Sequence, residues 1–253
     1  PFALWVSIPD PHEPWVVPSQ YADLFPRETI QLPPQPDGEF SDGTAPERKE
    51  VVSKMLAWRG EDGERLQDED LYSLLAVSGG MVRFIDDALG QILDALEETG
   101  LRRNTIVVFC SDHGDFMGEH GMQCKGGVFY DCLTRVPLIV SWPAQIPSGV
   151  RDTSLVNLID VVPTLLSLQG IDVPRAMQGE PLPTVTDAAP RDAAFSEYGA
   201  GVPPFRMEDL EKLPQPWGRS TLMASLRRRE AEGRRKMVRT RQWKYVHDPM
   251  GDR

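Results

Sequence analysis

The segment FIDDALGQILDALEETGLRRNTIVVFCSDHGD, residues 84–115, holds two rhythms in one line. Ile85, Leu89, Ile92, Leu93 and Leu96 recur at helical spacing, and Gly100 stands where a helix closes on a left-handed residue. After Thr105 the pattern becomes a run of apolar residues from Ile106 to Cys110, which reads as a buried strand. A helix that hands over to a buried strand is the α/β rhythm, and in open sheets of that kind ligand sites gather at the carboxyl ends of strands. Ser111, Asp112, His113, Gly114 and Asp115 stand at that end.

Upstream, Leu71, Leu74, Leu75, Met81 and Val82 extend the same helical face, and Asp68, Glu69 and Asp70 stand where a helix N-terminus favours negative charge. FALWVSI, residues 2–8, reads as a strand buried on both faces of a parallel sheet. From there to about residue 66 the chain is rich in Pro, Gly and charge, an irregular excursion with one short helix expected around residues 51–58. Downstream, VPLIVSW (136–142) reads as another buried strand, NLIDVVPTLLSLQG (157–170) as a helix closed by its glycine, and AAFSEY (193–198) as a further strand. Residues 203–236 are mostly polar. LRRREAEGRRK within them reads as a solvated helical face, with a specific anion site as the other reading. The late run MVRTRQWKYV alternates like a strand, and no internal repeat occurs.

A chain of 253 residues, 40% apolar and 26% charged, is long enough to bury a large core. Its formal net charge of −11 argues against a general nucleic-acid binder, because a phosphate backbone rewards Lys and Arg clustered across a face. A small anionic substrate stays compatible with that charge where local cations oppose it. No apolar run reaches the length of about eighteen residues that a membrane span needs. Cys110, Cys124 and Cys132 form no CxxC pair and suit neither a disulfide framework nor a structural zinc site; small buried thiols are the plain reading. The opening PFALWVSIPD has no Met and is already strand-like, and the end MVRTRQWKYVHDPMGDR stops just past a turn signal. A fragment lacking sequence at both ends is therefore expected.

Asp112 and His113 each offer a donor to a divalent cation. Gly114 lets the chain turn so that both side chains face one cavity, whereas adjacent residues on a continuing strand point to opposite faces. An Asx-type turn in which Asp112 only caps the next amides is the plain alternative. Lys125 follows in GEHGMQCKGG (118–127), where one ammonium near a bound metal would neutralise an oxyanion; the alternative is a solvated loop lysine. His12, in DPHEPW (10–15), comes just after the first expected strand. Parallel strands at 2–8 and 107–110 in one sheet would bring His12 and Asp112 to the same rim.

In their order along the chain, PHEPW, the helix-to-SDHGD segment, GEHGMQCKGGVFYD, TRVPLIVSWP, NLIDVVPTLLSLQGI, MQGEPL and MVRTRQWKYV resemble the sulfatase family of the alkaline phosphatase superfamily, in the middle-to-late part of its catalytic domain. The resemblance covers most of the chain outside the proline-rich loop and residues 203–236. It implies an α/β fold, with an alkaline-phosphatase-like central sheet flanked by helices and a late, smaller β-containing segment. Residues 1–200 would be part of the catalytic domain, its N-terminal portion absent, and residues 201–253 an insertion and the start of a C-terminal subdomain. Asp112 and His113 match the late pair of ligands to one divalent cation, usually Ca2+, with Mn2+ or Mg2+ as alternatives. Lys125 matches the lysine that bridges toward the sulfate group, and His12, in the family's Pro-His-x-Pro element, contacts the same group. His120 fits a substrate-binding position of one large subset, with a structural loop histidine as the equal alternative. Asp115 is a candidate supporting residue, and Tyr130 and Asp131 stand where the family often has Tyr-Glu.

The family's nucleophile lies in a Cys- or Ser-x-Pro-x-Arg element whose first residue is converted to formylglycine, and no such element occurs here. CLTRV has Thr where Pro belongs, and SIPDP ends in Pro where Arg belongs. The early acidic pair of metal ligands is missing too, and both are expected upstream of Pro1. The implied activity is metal-dependent hydrolysis of a sulfuric ester, on a sulfated carbohydrate in preference to a small aryl or choline sulfate. Trp15 beside His12 is a surface for a sugar face or, equally, a core or loop tryptophan. A phosphonate monoester or phosphodiester hydrolase of the same superfamily and a noncatalytic anion-binding homologue stay open as alternatives. A periplasmic or extracellular location is expected from the resemblance alone, and the sequence leaves the oligomeric state open.

Overall fold

The structure, a computed structural model, describes residues 1–35, 68–199 and 235–247. The chain divides into two compact units, one of Pro1–Lys125 with Arg135–Ser148 and the other of Gly126–Thr134 with Gly149–Arg253. The short helix expected at 51–58, the boundary expected at 200–201 and most of the polar stretch 203–236 lie outside the described residues.

The first unit is organised by α2, Asp68–Glu98, which follows the four-residue α1, Ser19–Ala22. The 31 residues of α2 make a rod about 46 Å long. Leu71, Leu74 and Met81 are buried, on the stripe that the periodicity marks. The three acids of the first turn oppose the positive end of the helix dipole. At the other end Gly100 takes φ 69°, its amide bonds the Glu97 carbonyl at 2.9 Å, and the Leu101 amide bonds the Leu96 carbonyl at 2.9 Å. That double closure is the reason a glycine stops this helix.

Residues 19–30 lie against α2. A carbon added at Gly80 would stand 2.9 Å from the backbone of Tyr21 and Ala22, so only glycine admits the approach. Tyr21 meets Phe84 edge-on with ring centroids 5.1 Å apart, and Arg27 lies 4.5 Å over the Tyr72 ring while pairing with Glu69.

β1, Val107–Cys110, pairs with β4, Leu138–Ser141, with Val107 opposite Ser141 and Cys110 opposite Leu138. The expected strands exist, but they run antiparallel and are half-buried rather than buried on both faces. Residues 2–8 correct a second expectation, for they belong to no strand or helix, and Leu4 and Trp5 are 72% and 88% exposed. An apolar run records a preference for burial and not the identity of a partner, and no described strand pairs with this one. His12 consequently reaches its place on a turn, with its amide bonded to the Pro9 carbonyl at 3.1 Å, and not from a strand end. The short hairpin β2, Phe116–Met117, and β3, Gln123–Cys124, belongs to the same unit.

In the second unit β5, Ala194–Tyr198, β6, Arg235–Arg239, and β7, Lys244–His247, form an antiparallel sheet in that order. Arg235 and Lys236, expected at the end of a helical face, are strand residues. α3, Asp131–Thr134, follows a segment tied to this sheet: Lys244 donates to the Phe129 carbonyl at 2.9 Å, and Arg235 donates to the Gly127 carbonyl. α4, Val161–Leu168, is entered through a capping box in which Asn157 and Asp160 bond each other's backbone amides. Asp160 is fully buried and also accepts the Glu180 amide at 2.9 Å and the Arg191 guanidinium at 2.8 Å, so a buried charge is completely matched. No described helix is long and apolar enough to cross a membrane.

Gly80→Ala presses a methyl onto the Tyr21–Ala22 backbone and lowers stability by about 1–3 kcal/mol. Gly90→Ala, where nothing lies within 4 Å of the added carbon, raises stability by about 0.5–1 kcal/mol, the helix-propensity difference. Chemical denaturation of the two variants side by side reads this contrast, and effects of the same sign would contradict it.

Candidate functional site

The site is assembled in the first unit by the β2–β3 hairpin and the turn at residues 10–14. Phe116 is completely buried and pairs with Cys124. Continuing that register by one residue sets Asp115 opposite Lys125, and the Lys125 Nζ stands 3.7 Å from Asp115 Oδ1. From the turn, Glu13 brings Oε2 to 3.8 Å from the same ammonium and to 3.4 Å from His12 Nδ1. Glu13 Oε2, Asp115 Oδ1 and Lys125 Nζ are buried atoms that make no hydrogen bond among the described residues. The separations suit ion pairs but exceed hydrogen-bond length, so neither carboxylate takes up an N–H of the ammonium. His12 Nδ1 lies 2.7 Å from the Glu13 carbonyl. A carbonyl only accepts, so Nδ1 carries the proton of that bond and Nε2 is left for another partner.

Asp112 and His113 occupy the turn after β1. The Asp112 Oδ1 accepts the His113 amide at 2.9 Å, and Ser111 donates its hydroxyl to the His113 carbonyl at 2.8 Å. The His113 Nδ1 donates to the Gly114 carbonyl at 3.1 Å, which leaves a lone pair on Nε2, 3.5 Å from Asp112 Oδ2. The Asx-type cap is present, one carboxylate oxygen accepting the backbone amide, and the other oxygen lies near an imidazole nitrogen. Burial works to raise the Asp112 pKa, but the His113 amide, the His113 imidazole and the Ser111 hydroxyl together hold it below the usual carboxylate value. The donor pair fits two positions of a divalent cation, with the imidazole oriented by a backbone carbonyl as ligating histidines are. No group of three or more His, Cys, Asp and Glu able to hold a metal occurs among the described residues. A cation that takes about six to eight oxygen ligands needs donors beyond this pair.

Asp115 links the two halves electrostatically. Burial pushes its pKa up; Lys125, His113 and His12 pull it down, and Glu13 adds to the rise. Cys124, beside Lys125, is pushed up to about 11 by burial first and then by the Glu13 and Asp115 charges, so its thiol is no nucleophile near neutral pH.

Of the residues marked by the sequence, His12 and Lys125 meet around Glu13, and Asp112 and His113 lie on the adjoining turn. His120 stands at the opposite end of the hairpin from Lys125. Its ring is edge-on to Phe116 at 6.4 Å, its amide donates to the Pro34 carbonyl at 3.2 Å, and its φ is 57°. Those contacts serve the framework. Glu13 went unmarked, since a single acid between prolines looks like any solvated loop acid. Only its place next to His12 could have singled it out.

A sequence profile of the sulfatase family matches residues 1–171, and the chain belongs to that family. It is 32% identical over 202 residues to an uncharacterised sulfatase of Escherichia coli (strain K12), across 78% of this chain and 37% of that protein. It is 37% identical over 120 residues to an N-acetylglucosamine-6-O-sulfatase of Bacteroides thetaiotaomicron, across 45% of this chain and 21% of that protein. Among solved structures, the phosphonate monoester hydrolase of Agrobacterium radiobacter superposes with a TM-score of 0.72 at 26% identity, across 94% of this chain and 47% of that one. The α/β fold is that of these relatives. The chain spans less than two-fifths of the length of these two curated relatives and about half of the solved one.

At pH 8 a thiol with a pKa of about 11 is almost wholly protonated. Iodoacetamide therefore modifies the exposed Cys110 well before Cys124, as peptide mass spectrometry over a time course reads; equal rates at the two positions would contradict the acidic surroundings of Cys124.

Proposed function

We propose that the chain carries the anion-binding side and two cation ligands of a sulfuric ester hydrolase. The observation behind this is the Lys125 ammonium, held at ion-pair distance by Glu13 and Asp115 yet not hydrogen-bonded, beside His12, in a chain of the sulfatase family. Lys125 donates to the nonbridging oxygens of the ester, and His12, whose Nδ1–H is taken by the Glu13 carbonyl, donates from Nε2–H to the same group as the imidazolium. Asp112 and His113 would hold a divalent cation, calcium first with Mn2+ or Mg2+ as alternatives, and that ion supplies Lewis-acid stabilisation of the same oxygens when bound. Formylglycine is taken as the nucleophile of the whole protein. His120, at the far end of the hairpin, would be a framework residue.

For the substrate we take a sulfated carbohydrate, as the name of the Bacteroides relative suggests for that protein. A second reading, hydrolysis of a phosphonate monoester, is favoured by the superposition on the Agrobacterium enzyme. Sulfate and phosphonate esters present similar tetrahedral oxyanions, so the residues around Lys125 suit both. A periplasmic or extracellular location is part of the same proposal and rests on the family resemblance.

Lys125→Ala in the whole protein lowers turnover of an aryl sulfate about a hundredfold to a thousandfold, the loss expected for one preorganised donor. Because Nζ makes no hydrogen bond that holds the fold together, the thermal midpoint stays within a few degrees. Near-normal turnover in that variant would sink the assignment of Lys125. Running an aryl sulfate and an aryl phosphonate in parallel on the unmutated protein separates the two substrate readings, the second prevailing if only the phosphonate is cleaved. Asp112→Ala raises the divalent-cation concentration needed for half-maximal activity by at least the roughly tenfold to hundredfold typical of a disturbed metal shell; an unchanged requirement removes Asp112 from the ligand set.

A further inference from the structure

We infer, resting on the hydrolase function just proposed, that Glu13 sets the charge selectivity of the anion site, so that singly charged ester groups are accepted over doubly charged ones. Glu13 is not part of the hairpin that carries Lys125, yet its Oε2 is the atom shared by both anion contacts, 3.8 Å from Lys125 Nζ and 3.4 Å from His12 Nδ1. That oxygen is buried and makes no hydrogen bond among the described residues, so its charge is neither spread into a backbone cap nor fully given to solvent. Its field reaches the hairpin, since it adds to the rise of the Cys124 pKa.

An ester oxygen that accepts from Lys125 at about 2.9 Å has to enter this field. With Nζ only 3.8 Å from Oε2, the incoming oxygen sits within several ångströms of a carboxylate. Repulsion at that range grows in proportion to the ligand's charge, so a dianion meets about twice the opposition that a monoanion meets. Attraction to Lys125 scales the same way, and the net preference depends on how much of that attraction Glu13 cancels. A sulfate monoester carries one negative charge. Its hydrolysis, ester and water giving alcohol, sulfate dianion and a proton, releases an anion with two. A carboxylate at this place therefore tolerates the substrate and disfavours retention of the product.

The test uses two isosteric, non-hydrolysable probes that differ by one charge, benzenesulfonate and phenylphosphonate, titrated by calorimetry at pH 8.5 into the whole protein and its variants. Glu13→Gln removes the charge and keeps the shape, and it is expected to raise the ratio of phenylphosphonate to benzenesulfonate affinity about tenfold. Glu13→Asp keeps the charge and leaves the ratio close to the unmutated value. Glu13→Ala, read by the same ratio, serves where Glu13→Gln does not fold. A ratio that does not move on loss of the charge, or an unmutated protein that binds neither probe, overturns the inference. Turnover of an aryl sulfate and an aryl phosphonate by the same preparations is the separate check on the hydrolase function: cleavage of neither defeats that function, while the binding ratio still judges Glu13.

Discussion

Phe116 has no exposure to solvent, and burying it decides the geometry of everything charged nearby. In a hairpin, neighbouring side chains alternate between faces, so a slip of one residue would send the ring outward and an acid inward. With Phe116 paired to Cys124, the next pair must be Asp115 and Lys125, and a lysine that follows a glycine-containing turn is thereby pinned against a carboxylate. The turn that makes this possible contains Gly118 at φ 106° and His120 at φ 57°, and Glu119 braces it by accepting the Met117 amide at 2.6 Å. An apolar contact thus supplies the precision that the polar cluster lacks among its own members.

The cluster itself is arranged to keep charges available. A buried ammonium without counter-charge would lose its proton or pull in water, and direct salt bridges at hydrogen-bond length would consume its donors. Two carboxylates at 3.7 and 3.8 Å supply the counter-charge from beyond hydrogen-bond length. The same economy holds at Asp112, where one oxygen caps the turn and the other faces His113. In the second unit, by contrast, Asp160 is bonded at both oxygens by Asn157, Glu180 and Arg191. A buried carboxylate with both oxygens engaged holds the chain, whereas the Glu13 Oε2 makes no hydrogen bond among the described residues.

What could be read from the sequence was mostly local. The helix Asp68–Glu98 and its closing Gly100 were legible because periodicity, first-turn acids and the left-handed stop all act within a few residues. The strands at 107–110, 138–141 and 194–198 were legible as strands, but not their pairing, since direction and partner depend on residues far away. The run at 2–8 shows the limit, where strong β composition finds no described partner. At the site, spacing left the Asp112–His113 turn and Lys125 with plain structural alternatives, His12 was brought to their rim by an expected parallel strand at 2–8 that is not formed, and the family resemblance supplied the roles of all four. Glu13 carried no mark beyond its place next to His12, because its meaning comes from the fold bringing it across to Lys125.

The exposed ribbon at the start of the chain has a consequence for the material behaviour of this polypeptide. Phe2, Leu4, Trp5, Val6 and Ile8 face water on a backbone that pairs with no described strand. Such a margin is a template on which a second chain can lay a strand, and the net charge of −11 acts against it only as long as salt is low. Solutions of this polypeptide on its own should accordingly turn turbid with rising ionic strength, a colloidal property set by a short apolar run at one edge of the sequence.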